Sequence, residues 1–138
     1  MPSITETAAA FFAACETGRG WAGCQAFCAP DASFAAQAEP LADIHTLQGY
    51  CDWMAGLLTF VPDGSYAIKS FATDEARSSV CAYGVFSGTH SGKGGPCPPT
   101  GKTTHTDYVY VMEFAGGNIC HMTKVWNSGW AMRELGWG

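Results

Sequence analysis

Histidine is the side chain best suited to proton transfer near neutral pH, and this sequence contains four histidines. His90 and His105 flank residues 91–102, a segment rich in Gly and Pro, where either could shuttle protons or simply be solvated. His105 and Asp107 share a strand face, so an orienting carboxylate–imidazole pair is possible. A cross-strand polar pair of Asp107 with Lys124 explains the carboxylate equally well. The sequence could therefore support proton-transfer chemistry.

The cysteines and histidines do not form a metal-binding pattern. Cys24 and Cys28 are four residues apart on one expected helix, and the adjacent Cys120 and His121 point to opposite faces of an expected strand. No C-x-x-C or H-x-x-x-H pair exists. The glycines of residues 92–95 precede prolines rather than a helix, which is unlike a phosphate site. We expect no metal, no cofactor and reduced, buried cysteines.

The composition is that of a folded chain with much apolar surface to bury. Of 138 residues, 47% are hydrophobic and 14% charged, and the net charge is -5. The seven Lys and Arg residues form no run, which argues against nucleic acid or a membrane surface as partner. The first residues do not resemble a secretory signal, so we expect a cytoplasmic protein. One domain over residues 1–138 is expected, with an internal cavity or a subunit interface.

The elements that position these side chains begin with helices. Ser3 followed by Glu6 is typical of a capping box, and apolar residues then recur every three to four positions. A short second helix and a strand over residues 31–37 follow. The longest helix is predicted from the N-cap Thr46 to about Phe60. These helices need a surface on which to bury their apolar stripes.

The rest of the chain has the two-residue period of strands. Four strands are predicted, over residues 66–73, 76–90, 104–114 and 119–126. Gly116 and Gly117 separate the last two, as a type I′ hairpin turn requires. Helices followed by an antiparallel meander are the order of an α+β fold. The sequence predicts a cone-shaped, curved antiparallel sheet that encloses an apolar pocket together with the N-terminal helices.

Several motifs resemble those of one family. The run GTHSG at residues 88–92, followed by PPTGK at residues 98–102, resembles the strand–loop–strand signature of SnoaL-like polyketide cyclases, a branch of the nuclear-transport-factor-2-like superfamily. Residues 62–63, 114–119 and 135–136 are similar to further family motifs. The resemblance covers nearly the whole chain and implies the pocketed, cystatin-like cone of that superfamily. Its members include cyclases, isomerases, dehydratases and non-catalytic binding modules, so the fold does not assign a reaction.

The resemblance also implies one catalytic position. The cyclases carry an Asp near the end of the last strand, which acts as general acid and base in ring closure. Counting back from Gly136 places Asn127 at this position. An amide does not exchange a proton at neutral pH, so the resemblance implies the site but not the cyclase mechanism. Asn127 could still hold a carbonyl or an enolate by hydrogen bonding.

If Asn127 faces the pocket, strand alternation determines the rest of the wall. That wall would consist of Ile119, His121, Thr123 and Val125 with Thr106, Tyr108, Tyr110 and Met112. The predicted catalytic residues are His121, Asn127 and His105. The predicted substrate-binding residues are Tyr108, Tyr110, Thr123, Met112, Trp53 and His90. Ordinary core packing, with His121 hydrogen-bonded to a backbone group or a tyrosine, is the alternative.

Glu16 is a carboxylate inside the first expected helix. Related dehydratases carry a Tyr-Asp pair close to this position, and the corresponding residues here are Cys15 and Glu16. The pair lacks its tyrosine, so Glu16 is not among the predicted site residues.

Two functions follow from these residues. The first is a cofactor-independent enzyme of the lyase, isomerase or cyclase type that acts on an apolar, cyclic or polyketide-like carbonyl compound. His121 or His105 would transfer the proton, and Asn127 with a tyrosine hydroxyl would hold the carbonyl. The alternative is a non-catalytic domain that binds an apolar small ligand, because the family Asp is absent and aromatic residues are plentiful.

The outer face of the sheet suggests a partner. The predicted alternation places Val109, Val111, Met122 and Trp126 there, and such a face is too apolar for water. We expect a homodimer through this face. An assembly module built on it is a third possible function.

Overall fold

The chain begins with the helix that its capping box predicts. In the computed structural model, which describes residues 2–137, α1 spans Ile4–Glu16 and Ser3 exchanges both capping-box hydrogen bonds with Glu6. A short helix α2 (Gly20–Cys24) and a 3-10 turn lead into β1 (Cys28–Ala36). Helix α3 (Leu47–Phe60) begins at the predicted N-cap Thr46, whose hydroxyl accepts from the backbone of Gly49. None of the helices in the described residues is long and apolar enough to cross a membrane.

Five strands form one curved, open sheet in the order β1-β5-β4-β3-β2. The other four strands are β2 (Ser65–Asp74), β3 (Ser79–Thr89), β4 (Thr103–Ala115) and β5 (Asn118–Trp126). The meander from β2 to β5 is antiparallel as predicted, and the predicted α+β fold is confirmed. β1 pairs with β5 in parallel, so the sheet is mixed rather than antiparallel throughout. No short hairpin joins these two strands, which leaves their relative direction free.

A β-bulge changes which side chains of β5 face the helices. The register with β4 shifts between the pairs Glu113–His121 and Phe114–Ile119, so alternation along β5 reverses after Ile119. Beyond the bulge, Met122, Lys124 and Trp126 pair with Met112, Tyr110 and Tyr108 on the inner face. The alternation predicted for His121, Thr123 and Val125 was therefore wrong, because these side chains lie on the outer face.

A C-terminal helix that the sequence analysis did not predict packs beside β4. This helix, α4, spans Ser128–Leu135 and ends at Gly136, which adopts the left-handed conformation with φ of 75°. It buries Ala131 and Leu135. The core thus lies between the inner face of the sheet and the helices, with the aromatic residues of α1 and α3 at its centre.

Candidate active site

A narrow cavity lies between α3, α4 and the inner face of the sheet. Its volume is about 30 Å³, so the lining side chains nearly fill it. Its polar and aromatic lining includes Glu16, Trp53, Thr106, Tyr108, Lys124 and Trp126. Apolar side chains of α3 and α4 form much of the remaining wall. A cavity that is mostly apolar with a few polar groups is typical of a site for a small organic molecule.

Glu16, the last residue of α1, is 3% exposed, and its carboxylate accepts two hydrogen bonds. Tyr108 donates its hydroxyl proton to Oε1, and Tyr110 donates to Oε2 at 2.5 Å. Burial raises the pKa of Glu16, while the charge of Lys124 and the two hydroxyl donors act in the opposite direction. Burial thus favours the neutral acid, and the hydrogen-bond donors and Lys124 favour the carboxylate. A carboxyl group under these opposing effects is suited to exchange a proton.

Lys124 of β5 is a buried cation, 6% exposed, among aromatic rings. Its Nζ lies 4.5 Å from the ring centroid of Trp126 and 5.0 Å from that of Tyr50, where the ring faces attract a positive charge. The rings of Trp53 and Tyr108 lie within 5.5 Å. Burial lowers the pKa of Lys124 to about 8, and the charge of Glu16 counteracts this shift. Lys124 can therefore exist as an ammonium or as a free amine near neutral pH.

A directed chain of hydrogen bonds connects these two groups. Lys124 Nζ donates to Tyr50 Oη at 3.0 Å, and the hydroxyl oxygens of Tyr50 and Tyr110 are 2.6 Å apart. Tyr110 gives its one hydroxyl proton to Glu16, so its oxygen accepts from Tyr50. We call Lys124, Tyr50, Tyr110 and Glu16 the relay. Its two ends line the cavity, whereas Tyr50 and Tyr110 are fully buried, so a proton could pass between the ends without entering the cavity.

Four residues predicted to bind substrate lie at the cavity or close to it. Tyr108 and Trp53 line it directly. Tyr110 belongs to the relay behind the wall. Met112 is buried in the core one pair further along the sheet, against Met122.

His121, Thr123 and His105 lie on the outer face of the sheet. His121 Nδ1 is 2.7 Å from Ser33 Oγ, and its Nε2 is 3.0 Å from Thr123 Oγ1. His105 Nδ1 is 2.8 Å from Ser87 Oγ. The structure does not bring these residues together with Glu16, and their catalytic or binding role stays a prediction.

Asn127 is the exposed N-cap of α4. Its Oδ1 accepts a hydrogen bond from the backbone N–H of Trp130 at 3.2 Å. The side chain therefore stabilises the start of a helix and does not line the cavity beside Glu16. Its role in holding a carbonyl likewise stays a prediction.

His90, which the sequence allowed to be solvated, is fully buried, and its predicted role in substrate binding stays a prediction. Trp137 Nε1 donates to His90 Nδ1 at 2.8 Å. Because indole N–H can only donate, the proton of His90 is on Nε2, which donates to the carbonyl of Gly94 at 2.9 Å. Both ring nitrogens are thus occupied, and His90 ties residues 91–102 to the C-terminal segment.

Three cysteines from three helices meet in the core. The sulfur atoms of Cys15, Cys24 and Cys51 all lie within 4.8 Å of one another. The sequence spacing could not reveal this group because each cysteine comes from a different helix. Structural zinc sites use four ligands, and this group offers three, so we assign no metal to it.

Glu16 and Lys124, the ionisable groups of the cavity, are not among the predicted site residues. For Glu16 a signal was present, since it follows the buried Phe12 by four residues and so extends the apolar stripe of α1. A charged residue in such a stripe indicates a paired, buried group. For Lys124 the bulge in β5 concealed the signal, because simple alternation places Lys124 outside.

Comparisons with known proteins agree with this architecture. A family model described as SnoaL-like polyketide cyclase matches residues 6–135, and no curated protein matches the sequence. The solved structure of IdmH from Streptomyces antibioticus, a proposed polyketide cyclase, is 18% identical with a TM-score of 0.78, covering 98% of this chain and 99% of that chain. AclR from Streptomyces galilaeus, a proposed hydroxylase, is 21% identical with a TM-score of 0.77, covering 96% and 80%. At these identities the two structures show a shared fold.

Proposed function

The chain belongs to the SnoaL-like polyketide cyclase family, and we propose that it is a cofactor-independent cyclase acting on an apolar, polyketide-like carbonyl compound. The observation that carries this proposal is the presence of two ionisable groups, Glu16 and Lys124, on the wall of one apolar cavity. A carboxylate can remove a proton from carbon, and a cation can stabilise the oxyanion that results. Ring closure of a compound with several carbonyl groups needs both.

The first step is formation of an enolate. The substrate lies against Trp53 and Trp126 once the side chains that fill the narrow cavity have moved apart. Lys124 Nζ then donates a hydrogen bond to a carbonyl oxygen. Glu16 removes a proton from the carbon beside that carbonyl. The negative charge moves to the oxygen, where Lys124 stabilises it in surroundings that exclude water.

The second step is closure of the ring. The enolate carbon attacks a second carbonyl of the same molecule, and the new alkoxide takes up a proton. The proton that Glu16 removed is available for this purpose, either directly or through the relay. Loss of water from the product would then give an unsaturated ring, which is the lyase element of the predicted activity.

Tyr108 and Tyr110 help to return Glu16 to its charged form for the next catalytic cycle. Both hydroxyls donate to the carboxylate, which favours its charged form after the proton has left. Tyr108 also lines the cavity, so its hydroxyl can turn toward a substrate oxygen when Glu16 is protonated. An enzyme that used His121, His105 or Asn127 instead would leave these contacts without a catalytic purpose.

A panel of linear tri- and tetraketide esters, followed by liquid chromatography and mass spectrometry, tests the proposal. We expect at least one ester to cyclise, and Glu16→Gln to slow this reaction by roughly 100-fold. His121→Ala and Asn127→Ala serve as the comparison, because they remove the residues of the rival site. Unchanged turnover in Glu16→Gln would overturn the proposal. Esters that bind and return unaltered from the wild-type protein would favour the non-catalytic binding domain.

We also propose that the protein is a homodimer through the outer face of the sheet. The apolar members of this face are Cys81, Tyr83, Val85, Val109, Val111 and Val125, and Val125 is 59% exposed. Met122 and Trp126, which the sequence analysis placed there, face inward. Sedimentation velocity should give a dimer that Val125→Glu weakens, and a monomeric wild-type protein at high concentration would contradict it.

A further inference from the structure

We infer that Lys124 is a nucleophile that forms an imine with an aldehyde or ketone group of the substrate. This inference rests on the proposed function, since it assigns a covalent step to the carbonyl that Lys124 was argued to hold. The chemical class of substrate is correspondingly narrower. It requires a carbonyl that reacts with amines, which excludes a compound whose only carbonyls are esters or acids.

The position of the Lys124 amine at the cavity wall supports imine formation. The sequence has four lysines, of which Lys69, Lys93 and Lys102 are exposed and Lys124 lies at the cavity wall. A carbonyl bound in the cavity would meet Nζ in surroundings from which bulk water is excluded. Water competes with imine formation, because it hydrolyses the product. The cavity therefore favours the covalent state at Lys124 over the same state at an exposed lysine.

The relay is the second argument, because a nucleophilic amine must first lose a proton. The hydrogen bonds run from Lys124 through Tyr50 and Tyr110 to Glu16, in the direction that carries this proton away. Its arrival on Glu16 converts a buried ion pair into a neutral amine and a neutral acid. Burial lowers the pKa of Lys124 to about 8 and raises that of Glu16, so both shifts favour the transfer.

The covalent step balances within the site. The free amine attacks the carbonyl carbon, and a proton transfer gives a neutral carbinolamine. Glu16 then returns its proton to the carbinolamine hydroxyl, which leaves as water. The product is an iminium ion on Nζ and a carboxylate on Glu16. No oxidant, reductant or further reactant is consumed.

The aromatic rings around Lys124 Nζ stabilise the positive charge of an iminium ion as they stabilise that of the ammonium group. The positive charge stays on the same nitrogen, 4.5 Å from the ring centroid of Trp126 and 5.0 Å from that of Tyr50. An iminium also acidifies the neighbouring C–H bond. Glu16 could then remove that proton to give an enamine, whose carbon closes the ring in place of an enolate carbon.

Two reagents test the covalent step on the intact protein. An apolar aryl 1,3-diketone forms a stable, coloured enaminone with reactive amines, and an apolar aromatic aldehyde with borohydride leaves a reduced adduct. Peptide mapping should place both adducts on Lys124. About one Lys124 side chain in ten is neutral at pH 7, one pH unit below its pKa of about 8, so labelling at pH 7 should be roughly 100-fold faster at Lys124 than at a free lysine in solution. Labelling of Lys124 no faster than that of Lys69 would overturn the inference.

The variants separate this inference from the proposed function. Lys124→Arg keeps the charge and the hydrogen-bond donor but forms no imine, so we expect loss of labelling and of ring closure, whereas Lys69→Arg should change neither. If Lys124→Arg closes the ring at the wild-type rate, the covalent step is wrong and the proposed cyclase stands. If Glu16→Gln retains full turnover, the proposed function fails whatever the labelling shows. Circular dichroism checks that each variant is folded, and the mapping of wild-type protein needs no variant.

Discussion

Lys124 and Glu16 line one cavity and are also connected behind its wall, through the hydroxyls of Tyr50 and Tyr110. Each of the two charges loses hydration on burial, which costs several kcal/mol unless partners replace the water. The tyrosine hydroxyls supply these partners. Within residues 2–137, no buried side-chain nitrogen or oxygen lacks a hydrogen-bond partner. The site is therefore arranged so that charge is tolerated inside the core at two defined points.

The first prediction concerns stability in Glu16→Gln. Burial raises the pKa of Glu16, so above the ordinary pKa of about 4.3 the native state holds a proton that the unfolded chain has lost. Rising pH therefore removes stability from the wild-type protein in this range, and glutamine has no such dependence. Urea unfolding from about pH 4 to about pH 8 should show the variant gaining free energy of unfolding relative to wild type.

Glu6→Gln is the matched control for this measurement. Its hydrogen bonds to Ser3 lower the pKa of the exposed Glu6, so its contribution to stability is present at neutral pH and lost on acidification. The difference between Glu6→Gln and wild type should consequently change with pH in the opposite sense. A difference for Glu16→Gln that does not vary with pH would show that Glu16 is not the buried acid described above.

The second prediction concerns the relay. Tyr50→Phe removes the hydroxyl that accepts from Lys124 and donates to Tyr110, but it keeps the ring that stacks on Phe34. Since Tyr50 does not line the cavity, KM should change little, while kcat should fall by roughly 100-fold. Steady-state kinetics with a cyclising ester measure both. Tyr66→Phe is the control outside the relay, and a raised KM with unchanged kcat in Tyr50→Phe would contradict this role.

Elements that depend on neighbouring residues could be predicted from the sequence. The start of α1 at Ser3, the N-cap Thr46 and the hairpin at Gly116 and Gly117 are local, and each is where it was expected, with φ of 60° and 85° at the two glycines. Helix α4 was missed although Asn127 and Gly136 are a typical N-cap and C-cap. The resemblance had already assigned Asn127 to the end of a strand, and that assignment concealed the helix.

The site depended on relationships that no local pattern contains. The bulge in β5 is a property of its pairing with β4, and one extra residue reverses every side chain that follows. Lys124 is therefore an inner residue, although simple alternation predicts an outer one. For His121 the predicted and observed faces are reversed. The hydrogen-bond donors of Glu16 are Tyr108 and Tyr110, which are more than 90 residues away along the chain. Only the assembled fold brings these groups together.

The third prediction concerns the contact between Trp137 and His90. Trp137→Phe keeps an aromatic ring but leaves the buried Nδ1 of His90 without its donor. An unsatisfied buried acceptor costs about 1–3 kcal/mol, so the free energy of unfolding in urea should fall by this amount. Residues 91–102 should also become more sensitive to limited proteolysis. Trp130→Phe, which alters a residue that is 45% exposed, should change neither, and equal effects of both substitutions would contradict the role of His90.

The fourth prediction uses Asn127 to separate two sites. Asn127→Ala removes the N-cap of α4 and should cost about 1 kcal/mol, whereas Asn127→Asp keeps the cap and places a negative charge at the positive end of the helix. Thermal unfolding should therefore rank Asn127→Asp at or above wild type.

Asn127→Asp also restores the acid that the resemblance to the cyclases implies at this position. If proton transfer occurs at Glu16, this substitution leaves the rate of ring closure within about twofold of wild type, because the added carboxylate lies outside the cavity. A large increase in kcat in Asn127→Asp would instead place the chemistry at the end of β5 and would overturn the assignment to Glu16.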